Sequence, residues 1–562
     1  MRKMVTALFI GAALAILAGP VRSFAQTADT MWVSAQAGFL NDQINGDTTS
    51  TGARVNPNRV YMLYDDSTYY WDGTINVNKF NFTMSAPVPA AGHKPPMVYP
   101  AILNDGSVPV WFIESFTGPV TLTHLYLSGT PPDNRAYGAS RVLVATSGDS
   151  DTVFKVDSCV FDDWYFRAIT GGGQRNDYYI TNCVFQNLMY PDEPFYGDGF
   201  GVLNSATTDT LWMTDNTFYC VNAYLILIQD ASLCKYIRFE HNTVFLTQVN
   251  PLWIFEAVNA DIKNNIFYGT MSVGQQPGEI TAGYYDYNGQ ISSTISLDTL
   301  LDIGPKYNLT EADRHITVAN NAYAWPQALT DWTTHWNDSV KAINADTLTL
   351  APPAWMNPRT AAMFSNKTTW PNLQAVGNDS VDPGFPSTAM AQVSKLIQSI
   401  YVYRAADTAA ATYEWWDVPQ GQAGPYPGTW PLPYSLAYSN TALQHAGTDG
   451  KALGDLNWFP SQLPLAVQQL PKTVPTKFAL GNNYPNPFNP TTTVKVTLAQ
   501  SGVMSLRVYN VLGQLVKVVD EGYKPAGSYS YNLNMDQFAS GVYFYSLQQG
   551  PNMITKKMLL LK

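Results

Sequence analysis

A short pattern of apolar and polar positions recurs through the middle of the chain. Most copies begin with an apolar residue, continue through small polar positions and end with an aromatic ring. The rings are Phe161, Phe185, Phe218, Phe245, Phe267 and Tyr323. The rings are 24, 33, 27, 22 and 56 residues apart. A period of this length is typical of a solenoid. Because no copy contains a helical stretch, the pattern predicts an all-β fold, a β-solenoid.

In a β-solenoid each coil pairs in parallel with its neighbours, about 4.8 Å away, so equivalent positions stack on one another. We therefore expect one buried column of rings and a ladder of Asn side chains at the bends. The predicted column consists of Phe161, Phe185, Phe218, Phe245 and Phe267.

Two cysteines, Cys159 and Cys183, occupy the same repeat position one coil apart. If the coils are adjacent, their Cα atoms are about 5 Å apart, within the range of a disulfide. A disulfide and a buried pair of thiols both fit this spacing. Cys220 and Cys234 would then form the remaining pair, although four cysteines permit three connectivities.

The repeated segments resemble coils of the right-handed parallel β-helix of the pectin-lyase-like superfamily. The resemblance implies one β-helix domain over residues 26–460, with loops inserted where the spacing is long. Helical spacing of apolar residues over 389–403 predicts an amphipathic helix that caps the open end of this domain. The alternative is a β-sandwich that carries similar motifs by coincidence.

The last part of the chain, residues 478–562, alternates apolar and polar residues in short runs separated by Gly, Pro and Asn. This pattern predicts a small immunoglobulin-like β-sandwich. Residues 461–477 contain three prolines and few strand signals. They predict a semi-extended linker between the two domains.

Three motifs in this last domain, at 484–490, 509–514 and 539–544, are more specific than its alternation. They resemble the type A C-terminal sorting domain of the type IX secretion system, through Tyr484, Pro485, Asn486, Pro487, Phe488, Asn489, Pro490, Gly513 and Gly541. The resemblance implies that the secretion machinery is a partner. It also implies passage through the periplasm to the outer cell surface or the medium, and nothing about catalysis.

The start of the chain agrees with export. Arg2 and Lys3 precede an apolar run over 4–17, and small residues flank Phe24. This order predicts a secretory signal peptide over residues 1–25. The run is too short to span a membrane, and no later run is long enough, so we expect no transmembrane segment after its removal.

The composition narrows the class of protein. Lys plus Arg number 32 and Asp plus Glu number 43, which gives a net charge of −11 without a basic patch. Nucleic acid is therefore not an expected partner. The cysteines lack the spacing of a zinc site, so no metal site is predicted from them.

Cleavage of a polysaccharide needs a pair of carboxylates, or a base beside the substrate. Asp162, Asp163 and Asp198 are the candidate carboxylates, and Arg167 and Arg175 are the candidate bases. Solvated turns and loops are the simpler explanation of the same residues.

Aromatic residues outside the repeat give a different hint. Tyr70, Trp71, Trp164, Tyr165 and Trp430 belong to clusters that are separate from the repeated rings. Exposed rings of this kind stack on sugars. Packing between inserted loops and the solenoid wall is the alternative.

The leading hypothesis is a secreted or cell-surface protein that binds a polysaccharide or has a structural role, without a cofactor. The alternative is a polysaccharide lyase or glycoside hydrolase. A lyase would use Ca²⁺, held by the acidic loop 190–199. A groove with clustered acids and a base favours the enzyme, whereas a groove of Asn, Thr and aromatic residues favours binding.

Overall fold

A computed structural model describes residues 29–132, 141–146, 148–188, 198–202, 205–283, 286, 289–300, 303–405, 428–463, 477–499, 502–524, 527–549 and 552–562. The predicted signal peptide, residues 1–25, lies outside the described residues, as do residues 464–476 of the predicted linker.

Three long sheets, in which neighbouring strands pair in parallel, follow one another around the main domain. Sheet 1 has eleven strands: Thr30–Val33, Val60–Leu63, Phe82–Ser85, Val120–Thr123, Val153–Asp157, Asn176–Thr181, Thr207–Thr214, Leu233–Glu240, Ala257–Lys263, His315–Ala319 and Gln374–Val376. Sheet 2 has ten: Thr68–Trp71, Met97–Pro100, Tyr126–Ser128, Val160–Asp162, Val184–Gln186, Thr217–Val221, Thr243–Thr247, Ile266–Tyr268, Ala322–Ala324 and Asp379–Ser380. Sheet 3 has eight: Ile75–Asn78, Trp111–Thr117, Arg141–Ala145, Arg167–Gly171, Asp198–Val202, Ile226–Ile228, Leu252–Trp253 and Ile295–Ser296. This is a parallel β-helix, and the predicted fold class is confirmed.

The described α-helices of this domain are Leu40–Asn45, Pro277–Ala282, Gly304–Tyr307, Gln327–Ala342, Pro358–Ser365 and Ser387–Ala405. Short 3-10 turns lie at Glu311–Asp313, Asp346–Leu348, Leu443–His445, Leu456–Trp458 and Pro460–Gln462. Two short helices add side chains to the main core inside the coils. Leu40 and Ile44 come from the first helix, and Met363 and Phe364 come from Pro358–Ser365.

The helix Ser387–Ala405 covers the predicted span, but it does not cap the end of the solenoid. Its buried face, which includes Leu396, packs in one cluster with Tyr219, Phe245 and Tyr268. These rings are stacked on the outer face of sheet 2. The helix therefore covers the side wall, because that wall presents aromatic residues that need burial.

The predicted column of rings is present in part. Phe161, Phe185 and Phe218 stack in successive coils, with ring centroids 4.6 and 5.0 Å apart. In the next coil Val244 lies opposite Phe218, and Phe267 lies opposite Val244. All five side chains are buried.

The prediction was wrong for Phe245. Its partners are Tyr219 and Tyr268, on the opposite face of sheet 2. Adjacent strand residues point to opposite faces, so a shift of one residue moves a ring from the inside to the outside. The predicted register matches the last ring of each copy. The position of Asn242 in the amide ladder, between Asn216 and Asn265, shows that the register in this coil is shifted by one residue.

A ladder of amides runs along the corner between sheets 1 and 2. The side-chain Nδ2 of Asn216 donates to Asn242 Oδ1 at 2.9 Å, and Asn242 donates to Asn265 at 3.1 Å. Asn265 donates to Asn321 at 2.9 Å, and Asn321 donates to Asn378 at 2.8 Å. Each acceptor oxygen also takes a backbone N–H from the preceding coil. The ladder thus satisfies polar groups that a sharp bend would leave unpaired.

Apart from Gly377, whose φ is 64°, the residues that precede the ladder positions have a left-handed backbone with φ between 51° and 59°. We name these residues the corner column: His124, Ser158, Asn182, Asp215, His241, Asn264 and Asn320. Asn and Asp tolerate this conformation better than most residues, which accounts for their frequency here.

Cys159 and Cys183 occupy the ladder position in the two coils before Asn216. The backbone N–H of Val184 donates to the carbonyl of Cys159 at 2.9 Å, so their coils are adjacent. Both are free thiols, and burial raises the pKa of the Cys159 thiol to about 12. Cys220 and Cys234 are free too and lie in different packing clusters, so the predicted second pair was wrong.

The C-terminal domain has two antiparallel sheets. One contains Ala479–Leu480, Thr491–Leu498 and Gly527–Asn534, and the other contains Leu515–Lys524, Gly502–Asn510, Gly541–Gln549 and Asn552–Leu560. Phe488 of the first sorting motif is buried in the core of this domain, and its N–H donates to the carbonyl of Leu559 at 3.0 Å. The motif at 484–490 is therefore hydrogen-bonded to the last strand, Asn552–Leu560.

Replacing Phe185 with Ala should lower the free energy of unfolding by about 3–5 kcal/mol, because a buried ring is lost between two stacked rings. Urea unfolding of the purified protein measures this change. Tyr70→Ala, which removes a ring that is 41% exposed, is the control and should cost far less. Equal costs for the two variants would contradict the stacked column.

Candidate functional site

A cleft of about 710 Å³ opens at the corner between sheets 1 and 2. Its floor includes His124, Ser158 and Asn182 of the corner column. The loop 88–95 forms one wall, and residues 430–432 form another. The left-handed corner therefore places a row of polar side chains along the cleft.

The wall at 430–432 belongs to a segment that lies against the outer face of sheet 2. The N–H of Gly428 donates to the Tyr99 hydroxyl at 2.8 Å, and a Cβ at Gly428 would lie 2.6 Å from the Tyr126 ring. Tyr434 stacks on Tyr219 with centroids 3.6 Å apart. Only glycine permits the close approach of residue 428 to Tyr126. The stacking of Tyr434 on Tyr219 holds the other end of the segment.

Trp430 joins the two walls of the cleft. Its Nε1 donates to the carbonyl of His93 at 3.2 Å, and 38% of the residue remains exposed. The indole thus has one fixed edge and an accessible surface beside the cleft.

Asn457 closes one side of the cleft and belongs to a second segment, residues 446–459, which we name the strap. The Asn457 amide donates to the carbonyl of Asp215 at 3.1 Å and to Asn182 Oδ1 at 3.4 Å. Near the start of the strap, the Thr448 hydroxyl accepts a hydrogen bond from the Asn264 amide, and the Thr448 N–H donates to Asn264 Oδ1. The strap therefore runs along the corner column and delivers Asn457 to the cleft.

Asp455 is the buried anchor of the strap. Its carboxylate accepts the Thr217 hydroxyl at 2.6 Å and the backbone N–H of Asn457 at 2.8 Å. Its own N–H donates to the Thr243 hydroxyl at 2.9 Å. Burial, reinforced by the nearby Asp215 carboxylate, raises the pKa of Asp455 to about 7.

A second contact of the strap is ionic. His241 Nε2 lies 3.3 Å from Asp449 Oδ2. Burial alone would lower the pKa of His241, but the bond to Asp449 and the negative charges of Glu240, Asp449 and Asp215 together raise it. Burial would raise the pKa of Asp449, but the bond and charge of His241, together with the backbone N–H and charge of Lys451, lower it to about 2.

The rim of the cleft holds a group that the sequence analysis missed. His93 Nδ1 lies 2.5 Å from Asp66 Oδ2 and 3.9 Å from Asp65 Oδ2. Asp66 also accepts the N–H of Lys94 at 2.9 Å, and this bond, followed by the one to His93, lowers its pKa. Side-chain ligand atoms of Asp65, Asp66 and His93 all lie within 4.8 Å of one another. No local motif signals a group whose members are 27 or 28 residues apart.

The expectation of a solvated turn at Asp162 and Asp163 was wrong, because both side chains are buried. Asp162 accepts the Tyr126 hydroxyl at 2.6 Å and the Asn187 amide at 2.9 Å. Asp163 accepts the Thr130 hydroxyl at 2.6 Å. Burial and the neighbouring Asp163 raise the pKa of Asp162 to about 6. Neither residue lines the cleft.

Arg167 and Asp198 form a buried ion pair on sheet 3. Arg167 Nε and Nη2 lie 2.9 and 2.5 Å from Asp198 Oδ2, and the strand register places the two residues opposite each other. A Cβ at Gly201 would lie 2.5 Å from Arg167 Nε, so glycine leaves room for the guanidinium. Arg175 is not part of this group, because it pairs with Asp151 at 2.6 Å on the surface.

The predicted calcium loop is described only at its end. Residues 190–197 lie outside the described residues, and Asp198 is engaged by Arg167. The Asp198 carboxylate therefore does not fit the role of a calcium ligand, because a guanidinium already neutralises it.

Two of the aromatic candidates are not platforms. Trp71 and Trp164 are buried in the main core and stack with centroids 6.3 Å apart. Tyr70 is 41% exposed, and Tyr165 is half-buried. Of the five rings singled out in the sequence, Trp430 is the one that lines the cleft.

Comparison with known families identifies the C-terminal domain. Residues 482–561 match the family described as the secretion system C-terminal sorting domain. This is the type IX sorting domain, which indicates export to the cell surface or secretion, with the type IX machinery as partner. The comparison with curated proteins found no match, and neither did the comparison with solved structures. None of the helices in the described part of the chain has the length and apolar character that a membrane crossing requires.

The strap should make the stability of the protein depend on pH. Burial raises the pKa of Asp455 from 3.8 to about 7, so the protonated carboxyl stabilises the folded protein fully below about pH 4, and this contribution is lost as the pH rises to about 7. In Asp455→Asn the free energy of unfolding, measured in urea between pH 4 and 7, should fall less steeply with pH. Asp338→Asn, an exposed change on the helix Gln327–Ala342, is the control and should keep the wild-type slope. Identical slopes for wild type and Asp455→Asn would contradict this role.

Proposed function

We propose that this exported β-helix protein binds a glycan in the cleft at the corner of sheets 1 and 2. The observation that carries the proposal is the combination of the Trp430 indole with the polar groups of Ser158, Asn182 and Asn457 in one cleft. Sugars present hydroxyls to polar groups and an apolar ring face to aromatic side chains.

The dimensions of the cleft support this proposal. Its volume of about 710 Å³ falls within the usual range for small-ligand sites, roughly 300–1,000 Å³. The corner is fixed by the backbone of the coils, and the strap and the segment that carries Trp430 are both anchored by buried contacts. A site whose walls are already ordered loses little entropy on binding.

The burial of the predicted catalytic residues favours binding over cleavage. Asp162 and Asp163 are enclosed by hydrogen bonds, and Arg167 is paired with Asp198 inside the wall. A hydrolase needs two carboxylates that face its substrate. The lining of the cleft includes one acidic residue, Asp66.

A polysaccharide lyase is the second candidate function, and one observation favours it. Strand register places Arg141 beside Arg167 in adjacent coils of sheet 3. Burial, together with repulsion from Arg167, lowers the pKa of Arg141, which is the direction that a base requires. The predicted Ca²⁺ belongs to this candidate alone. Release of unsaturated sugar ends from a polysaccharide would support it.

Titration calorimetry of the purified full chain against neutral and acidic oligosaccharides tests the proposed binding. Trp430→Ala should weaken binding about tenfold or more, because a lost aromatic contact removes about 1.5 kcal/mol in addition to buried area. Trp430→Phe keeps an aromatic ring and should retain part of the affinity.

Tyr401→Ala is the matched control, because Tyr401 is a 49% exposed aromatic residue on the helix Ser387–Ala405. It should bind as the wild type does. Binding that is unchanged in Trp430→Ala, or no binding by any oligosaccharide, would contradict the proposal.

A further inference from the structure

The sorting domain exposes an unusual strip of apolar side chains. Val511 is 65% exposed, Leu512 79%, Leu515 50% and Val518 48%. All four belong to the hairpin of the strands Gly502–Asn510 and Leu515–Lys524. Clustered exposed apolar residues are unfavourable in water and commonly mark a contact surface.

The turn that carries Val511 and Leu512 is well constructed. Asn510 Oδ1 accepts the N–H groups of Leu512 and Gln514, each at 3.0 Å. Gly513 has a φ of 74°, which suits glycine. The two apolar residues are therefore held at the tip by a defined turn.

The two strand residues of the strip, Leu515 and Val518, lie on the outer face of their sheet. Leu515 lies opposite Tyr509 and Val518 lies opposite Arg507, whereas Val508, between those two partners, points into the core. The core of the domain is filled by other residues, among them Val494, Val496, Leu506 and Leu547. Packing within the domain thus gives no reason for the exposed strip.

We propose that Val511, Leu512, Leu515 and Val518 form the contact surface through which the type IX export machinery recognises this protein. The occupant is an apolar groove on a component of that machinery, with Leu512 as the central anchor. The match of residues 482–561 to a sorting domain makes the machinery the partner of this domain. Interfaces are commonly dominated by a few such buried anchors. This inference concerns export and is independent of the glycan cleft.

Export by the producing bacterium tests the proposal with the full chain. Leu512→Ser and the double change Val511→Ser with Leu512→Ser should leave most of the protein in the periplasm, as should removal of residues 478–562. Polar Ser avoids a new charge at a turn. The unfolding transition of protein purified from the periplasm shows whether each variant is still folded.

Met553→Ser is the matched control. Met553 is 65% exposed, on the strand at the opposite edge of the same sheet, and this variant should be exported as the wild type is. If folded Leu512→Ser protein leaves the cell normally, the proposal is overturned. Equal retention of the Met553 variant also overturns it, because the effect is then not specific to the strip.

A second copy of the domain is the competing occupant. Gel filtration of the wild type and of Leu512→Ser over a range of concentrations distinguishes it. A dimer that Leu512→Ser abolishes while export stays normal would assign the strip to self-association and overturn the proposal.

Discussion

Parallel pairing of successive coils is the constraint on which the structure depends. Each side chain has a counterpart about 4.8 Å above and below it, so every position must be compatible with its own repetition. Rings satisfy this rule by stacking, as Phe161, Phe185 and Phe218 do, and amides satisfy it by donating to the next amide. Opposite charges satisfy it by pairing across coils, as Arg167 and Asp198 show.

The same rule explains why the fold could be predicted from the sequence. Positions that stack on themselves become similar, and the similarity appears as a period of rings and bends. The error at Phe245 has the same origin: Val244 and Phe245 are both apolar, so hydrophobicity alone does not distinguish the inward position. Asn242 does, because its amide donates to Asn265 in the next coil and so marks the ladder position.

The candidate site could not be predicted in the same way. Its parts come from the loop 88–95, the corner at Ser158 and Asn182, and the returning residues Trp430 and Asn457. No repeat relates these segments, and each is held by contacts with residues far away in the sequence. The acidic candidates failed for a related reason. Charged residues are usually exposed, but residues of the stacked coils supply Asp162 and Asp198 with buried partners.

The amide ladder makes the interfaces between coils stronger toward the C-terminal end of the solenoid than at Cys159 and Cys183. From Asn216 to Asn378 adjacent coils are joined by strand pairing and by a continuous chain of side-chain amides. Cys159 and Cys183 interrupt this second linkage in the preceding coils, where thiols occupy the same position. In a structure whose units contact only their neighbours, cooperativity is set interface by interface. The interfaces between coils from Asn216 onward therefore carry one linkage more than those at Cys159 and Cys183. Under a force along the solenoid axis, we expect the coils at the two cysteines to separate first.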